Sequence, residues 1–184
     1  MKPFILSAML VLSAGAMHAQ EKFFTRTGKI AFSSKAPVEN IDAYHKSATC
    51  VLDAKTGNLQ FALLMKGFEF EKALMQEHFN ENYVESDKFP KAEFKGMIAN
   101  TSAVNFSTDG VYPVKVKGNL TLHGVTKEVE ADGNITVKDG KVISRSDFKI
   151  LLSDYNIAIP KLVKDNISNS VAVSVDCTLE PLKG

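Results

Sequence analysis

Gly118-Asn119-Leu120-Thr121-Leu122-His123-Gly124-Val125-Thr126-Lys127-Glu128-Val129 reads as two β-strands joined at a tight corner. Val116, Gly118, Leu120 and Leu122 share one parity, and Lys115, Lys117, Asn119 and Thr121 the other. Successive strand residues point to opposite faces, so this strand has one apolar and one wetted face. Gly124 permits a bend that a residue with a Cβ would resist. The alternation then resumes, with Val129, Ala131, Gly133, Ile135 and Val137 opposed by Glu128, Glu130, Asp132 and Asn134.

Outward from this corner the same period recurs. Lys138-Asp139-Gly140-Lys141 is a hairpin turn, since Asp-Gly between alternating runs is a strong short-range signal. Val142, Ser144, Ser146, Phe148, Ile150 and Leu152 form the next face, and Val171, Val173, Val175, Cys177 and Leu179 the last. Upstream, Ala92, Phe94, Gly96 and Ile98 alternate, as do Leu59, Phe61, Leu63 and Met65 behind the turn cluster at 53–58. Two further strands occupy 24–32 and 43–52, and Gly28 marks a bulge or a close approach in the first. The period changes only near Phe70, where Leu74, Met75, His78 and Phe79 fall on one side of a short helix. That helix either closes one end of the sheet or packs on its outside. The pattern predicts about eight strands and one helix. An antiparallel sheet of that size with one apolar face closes into a barrel, whose interior holds side chains or one elongated ligand.

Three segments also carry a family resemblance. Gly118 to Val129 is similar to a signature of the YceI-like family, the lipocalin-like polyisoprenoid-binding proteins. His78 to Gly96 resembles that family's passage from a helix through a Lys-aromatic-Pro turn (Lys88-Phe89-Pro90) into a strand with Phe94. Ser153-Asp154-Tyr155-Asn156-Ile157 resembles its Asp-aromatic-Gly corner, with Asn156 where many members have Gly. Asn tolerates left-handed φ, so that departure is mild. The resemblance implies an eight-stranded antiparallel up-and-down lipocalin-like β-barrel with one short helix. It also implies a long isoprenoid chain, such as a polyisoprenoid or an isoprenoid quinone, held in the barrel lumen for storage or transport.

Residues 1–19 have the form of a cleaved export signal: Lys2, an apolar run from Phe4 to Leu12, then small residues up to Ala19. The apolar run is too short for a permanent bilayer span. No cysteine follows it, so no lipoprotein anchor is expected. The remainder, 20–184, suits a single domain, periplasmic or secreted. The chain carries 22 basic and 21 acidic residues. Loss of Lys2 with the signal balances them, which argues against nucleic acid and against a polybasic membrane dock. Cys50 and Cys177 share parity with apolar neighbours and read as buried thiols, with a disulfide as the alternative in an oxidising compartment.

Nothing in the sequence points to an enzyme. His45, His78 and His123 lie on different segments without metal-ligand spacing, and there is no nucleophile elbow or phosphate loop. His123 reads as structural, and Asp154 as a turn cap. No catalytic residue, metal site or dedicated cofactor is expected, and a homodimer is compatible with the pattern. What remains is the inward apolar set: Phe61, Leu63, Met65, Phe94, Ile98, Val116, Leu120, Leu122, Phe148, Ile150, Val173 and Val175. A filled hydrophobic core explains that periodicity as well as a ligand lumen does. The alternative function is therefore a filled-core barrel serving a stress response or a protein partner. Intact-mass analysis of the exported protein should give a start near Gln20; an exported product retaining Met1 would contradict the signal.

Overall fold

The structure, a computed structural model, describes residues 22–182. The expected signal and the start at Gln20 lie outside the described residues. Its strands are β1 (Lys22–Lys35), β2 (Asn40–Asp53), β3 (Asn58–Leu64), β4 (Glu69–Phe70), β5 (Lys91–Ile98), β6 (Gly110–Leu122), β7 (Val125–Lys138), β8 (Lys141–Leu151) and β9 (Ser170–Pro181). The eight long strands follow one another around an antiparallel meander, and β1 pairs with both β2 and β9 to close it. The two-residue β4 lies against Ala43 and Tyr44 of β2. The architecture is the expected lipocalin-like barrel.

The stretch Gly118 to Val129 forms the β6–β7 hairpin, with Gly118 opposite Val129 and Leu122 opposite Val125. Its two turn residues, His123 and Gly124, have φ of 50° and 72°. Positive φ at both central positions matches the right-handed twist of the flanking strands. Asp139 and Gly140 repeat this at the β7–β8 turn, with φ of 51° and 73°. A non-glycine residue in this region needs support, and His123 obtains it from side-chain hydrogen bonds described below.

β1 changes face along its length. Phe23 and Thr25 point inward in the lower half, Ile30 and Phe32 in the upper half. The shift between Thr25 and Gly28, where β1 carries one residue more than β2, produces the exchange, and the shift between Gly28 and Ile30 does the same for β2 between His45 and Ala48. Gly28 is required there, because a Cβ would lie 2.6 Å from Cys177 Sγ and 2.9 Å from the Ala48 carbonyl oxygen. The Cys50 and Cys177 thiols meet over this gap, although β1 separates their strands. Both are free and buried, and burial pushes the Cys50 thiol well above the ordinary range.

Two apolar clusters occupy the two ends. The lower one gathers Phe23, Cys50, Leu52, Leu59, Ile98, Val114, Ile135, Val137, Val142, Cys177 and Leu179. The upper one gathers Ala43, Met65, Phe68, Val84, Leu122, Tyr155 and Ile157. The helix α1 (Ala73–His78) and the π-helical turn Phe79–Tyr83 belong to the upper end. Phe79 lies between Phe32, Phe68 and Phe70, with ring centroids 5.5, 5.7 and 5.0 Å away, so this segment packs over part of the upper end. Two helical positions depart from the expected buried face. His78 is exposed although it borders the cavity. Leu74 was expected on the buried face and is exposed, because the six-residue helix turns Met75 rather than Leu74 toward the barrel.

Gly96 of β5 and Gly118 of β6 stand directly opposite one another. A Cβ on Gly118 would collide with Gly96 Cα and sit 2.5 Å from the Lys95 carbonyl oxygen, with the Phe94 ring at 2.7 Å. Backbone cannot yield as a side chain can. Gly118→Val should therefore lower Tm by on the order of 5 °C or more in thermal unfolding followed by circular dichroism. An unchanged Tm would show that the strands separate there at no cost.

Candidate functional site

Between the two clusters the barrel is open. A cavity of about 350 Å³ runs from the lower plug to the upper rim, within the range of small-molecule sites. Its wall includes Phe61, Leu63, Met65, Phe94, Val116, Leu120, Leu122, Phe148, Ile150, Val173 and Val175. The wall positions Phe61, Phe94, Val116, Leu120, Phe148 and Val173 are only partly buried although they face inward, because the lumen leaves part of their surface free. Ile98 is the one expected lumen residue that does not line the cavity. It has inward parity but lies deeper, fully buried among the lower plug residues. Parity gives the face of a strand and not the depth along the barrel.

Small residues keep the middle open. Ala131, Ser144 and Ser146 line it, and Gly96 and Gly118 hold inward-parity positions where they contribute no side chain. The Phe94 ring lies over that glycine pair rather than across the bore. The wall is also incompletely laddered. β7 and β8 pair only where Gly133–Lys138 runs against Lys141–Ser146. Above this seam β7 pairs with β6 and β8 with β9, and Val129 and Ala131 line the lumen on one side, Phe148 and Ile150 on the other. Ser146 hydroxyl donates to the Asp132 carbonyl oxygen at 2.7 Å where the strands part.

In the upper part of the lining, Met75, His78 and Phe79 come from the helix side that the periodicity picked out, whereas Ile30, Phe32 and Ile41 of β1 and β2 and Phe70 of β4 are residues that it missed. The change of face at Gly28 hid the β1 residues. Gly28 reads as a bulge or a close approach from the sequence, but carrying the change of parity across it is what places Ile30 and Phe32 in the lumen.

The mouth is built from three elements: the β1–β2 turn at 36–39, the start of α1, and the segment 160–168. Val38 N–H donates to the Asp165 carbonyl oxygen at 3.0 Å, and Ser168 N–H to Ser34 Oγ at 2.9 Å. Lys72 Nζ donates to Glu39 Oε1 at 2.8 Å, and the Lys72 ammonium holds the Glu39 carboxyl below its usual range. The ionisable side chains among the lining residues are Glu39, His78, Glu93 and Tyr83, and no Lys or Arg is among them. Glu93 has outward parity on β5, opposite Thr121.

Two of the histidines serve the framework. His45 is buried, receives Ser47 N–H on Nδ1 and donates from Nε2 to the Leu64 carbonyl oxygen, both at 3.2 Å. It thereby bridges β2 to the end of β3 above the last residues at which the two strands pair. Burial lowers its pKa. His123 donates from Nδ1 to the Tyr155 carbonyl oxygen at 3.0 Å and from Nε2 to Glu85 Oε2 at 2.8 Å. It ties the β6–β7 corner to the segments before β5 and after β8. Glu85 and Asn156, at φ of 45° and 56°, sit in the same knot. Among the described residues no group of three or more His, Cys, Asp or Glu side chains is placed to hold a metal.

A closed antiparallel barrel with an open apolar lumen and a helical cap is the geometry of the lipocalin-like binding proteins. The YceI-like domain model matches residues 15–179, and the chain belongs to that family. No curated protein sequence matches it significantly. Three solved structures share the fold. A polyisoprenoid binding domain from Saccharophagus degradans, implicated in plant cell wall breakdown, superposes with a TM-score of 0.76 at 14% identity, over 89% of this chain and 99% of that one. Burkholderia cenocepacia BcnA gives 0.66 at 18%, over 83% and 95%. The Campylobacter jejuni YCEI protein gives 0.61 at 18%, over 80% and 88%.

The His123 contact generates a pH dependence. The His123 N–H, and then Lys88, hold the Glu85 carboxyl below its ordinary 4.5. A carboxyl lowered in the folded state contributes stability above its unfolded pKa and loses it as pH falls through the folded value. The Tm difference between wild type and Glu85→Gln should therefore be largest near pH 6 and shrink toward pH 3. A difference that stays constant over that range would exclude the ionised pair as its source.

Proposed function

We propose that the protein is an exported carrier that holds a long apolar isoprenoid, a polyisoprenoid or an isoprenoid quinone, in its lumen for storage or transport in the periplasm or outside the cell. The observation that carries the reading is the open lumen itself, walled by aliphatic and aromatic side chains in a chain of the YceI-like family. The description of one structural neighbour as a polyisoprenoid binding domain supports the ligand class. An alkene chain offers only apolar surface, and its transfer from water into such a wall is favourable by roughly 25 cal/mol per Å² buried. The described lining residues include no Lys or Arg, so the polar end of the ligand is uncharged or stays at the mouth. The bound lipid is cargo, and the reading needs no catalytic group, metal or cofactor. His45 and His123 are committed to structural hydrogen bonds.

Organic extraction of the purified protein followed by mass spectrometry tests the ligand, with an isoprenoid lipid as the expected product. A charge in the wall tests its location. Phe148 lines the lumen, while its neighbour Lys149 is on the outer face. An unpaired carboxylate in an apolar lumen protonates or draws in water, and both spoil a site for an uncharged chain. Phe148→Glu, checked for folding by circular dichroism, should lose isoprenoid uptake at least tenfold while Lys149→Glu keeps it. Equal uptake by the two folded variants would place the ligand elsewhere.

A further inference from the structure

The largest exposed apolar side chains near the mouth sit one on each of the three elements that frame it. Leu162, in the 3₁₀ turn Lys161–Val163, is 97% exposed; Val38, in the β1–β2 turn, is 68% exposed; Leu74, on α1, is 60% exposed. In each case a residue next to it in sequence lines the lumen: Val163, Glu39 and Met75. The three elements are joined by the Val38–Asp165 backbone hydrogen bond and the Glu39–Lys72 ion pair. Each apolar tip therefore stands beside a residue that borders the cavity. The turn carrying Leu162 presses Val163 inward and holds Leu162 out in water, an arrangement that a merely packed loop does not need.

The charges around the rim favour one side of it. Lys161 and Lys164 flank Leu162, and Lys35 stands at the end of β1 beside the turn carrying Val38. Against them are Asp165 and Glu39, the latter already paired with Lys72. On the helix side Glu71 and Glu77 are exposed. The pole made by the β1–β2 turn and segment 160–165 thus combines two apolar tips with an excess of lysine, whereas the helix side does not.

We propose that this pole is a docking surface for a lipid bilayer, with Leu162 and Val38 entering the acyl boundary and Lys161 and Lys164 meeting lipid phosphates. The proposal rests on the carrier reading for its purpose. A long apolar chain leaves a bilayer for the lumen without crossing water only if the mouth touches the bilayer, since each exposed CH₂ opposes release. The docking is reversible and differs from a polybasic anchor, because the rim as a whole is close to neutral. Insertion of a few apolar side chains with a lysine collar is the interfacial mode.

The test uses flotation of the purified protein with vesicles of phosphatidylcholine and phosphatidylglycerol. Wild type should float with the vesicles, more weakly when phosphatidylglycerol is omitted. Leu162→Asp should cut the floated fraction at least tenfold. Val111→Asp is the control: Val111 is 65% exposed but lies at the start of β6, at the closed end, and its variant should float like wild type. No flotation of wild type, equal flotation of wild type and Leu162→Asp, or equal loss in both variants would overturn the proposal. So would gel filtration showing a dimer that Leu162→Asp converts to a monomer, which would make the rim a contact between two copies. Solvent extraction separates this from the carrier reading. A folded Leu162→Asp that fails to float yet still yields an isoprenoid supports docking. Wild type that floats but yields no isoprenoid, and takes none up, refutes the carrier reading and leaves the docking surface standing.

Discussion

The fold depends on β1 being hydrogen-bonded along both edges. Its pairing with β2 and β9 closes a meander of eight strands into a barrel. That closure demands local irregularity. β1 must follow the curvature of the wall while serving the lower plug with Phe23 and the upper lining with Ile30 and Phe32. A regular strand of that length would keep one parity throughout. The shifts around Gly28 exchange the faces, and the absent Cβ leaves room in which Cys177 and Cys50 meet. The two thiols thus fill space that the bulge creates, which is a packing role for free cysteine.

Whether such a barrel is filled or hollow is decided by the size of the inward residues at each level. At the lower level the inward residues are Leu52, Leu59, Ile98, Ile135 and Leu179, and they pack into one buried apolar cluster. One layer higher, Gly96, Gly118 and Ala131 take the corresponding parities, and Ser144 and Ser146 do so on β8. The aromatic residues then return at the top, where Phe32 meets Phe68 and Phe70 edge to face and Phe79 of the helical segment packs against all three. The lumen is the layer of small residues between two layers of large ones. The filled-core alternative describes the lower third of this barrel and not its middle.

The sequence was most legible where strands are regular. The parities of β6, β7, β8 and β9 follow directly from alternation, and most of the lumen wall with them. Depth was not legible, and Ile98 shows why: its period is the same as that of Phe94, but it lies four residues nearer the plug. Faces were not legible across bulges, which hid Ile30, Phe32 and Ile41. Leu74 was misplaced because six helical residues define a face poorly. The meeting of Cys50 and Cys177 could not be foreseen from strands that are not neighbours.

The wall also separates charge from the lumen by geometry alone. On the outer face Lys115 meets Asp132, Lys117 meets Glu128 and Glu130, Lys141 meets Glu180, and Arg145 meets Asp176. Each pair joins adjacent strands, at positions opposite or diagonal in the ladder. Exposed pairs of this kind add little stability. Their effect is on register: a slip of one residue would carry these charges into the bore and the apolar set outward, so both faces oppose it. The same alternation leaves the described lumen wall without a Lys or Arg to meet an anionic group. A carboxylate or phosphate drawn inside would be desolvated and uncompensated, which costs several kcal/mol or forces neutralisation. The barrel therefore selects against buried charge in a ligand by the same register that holds its strands together.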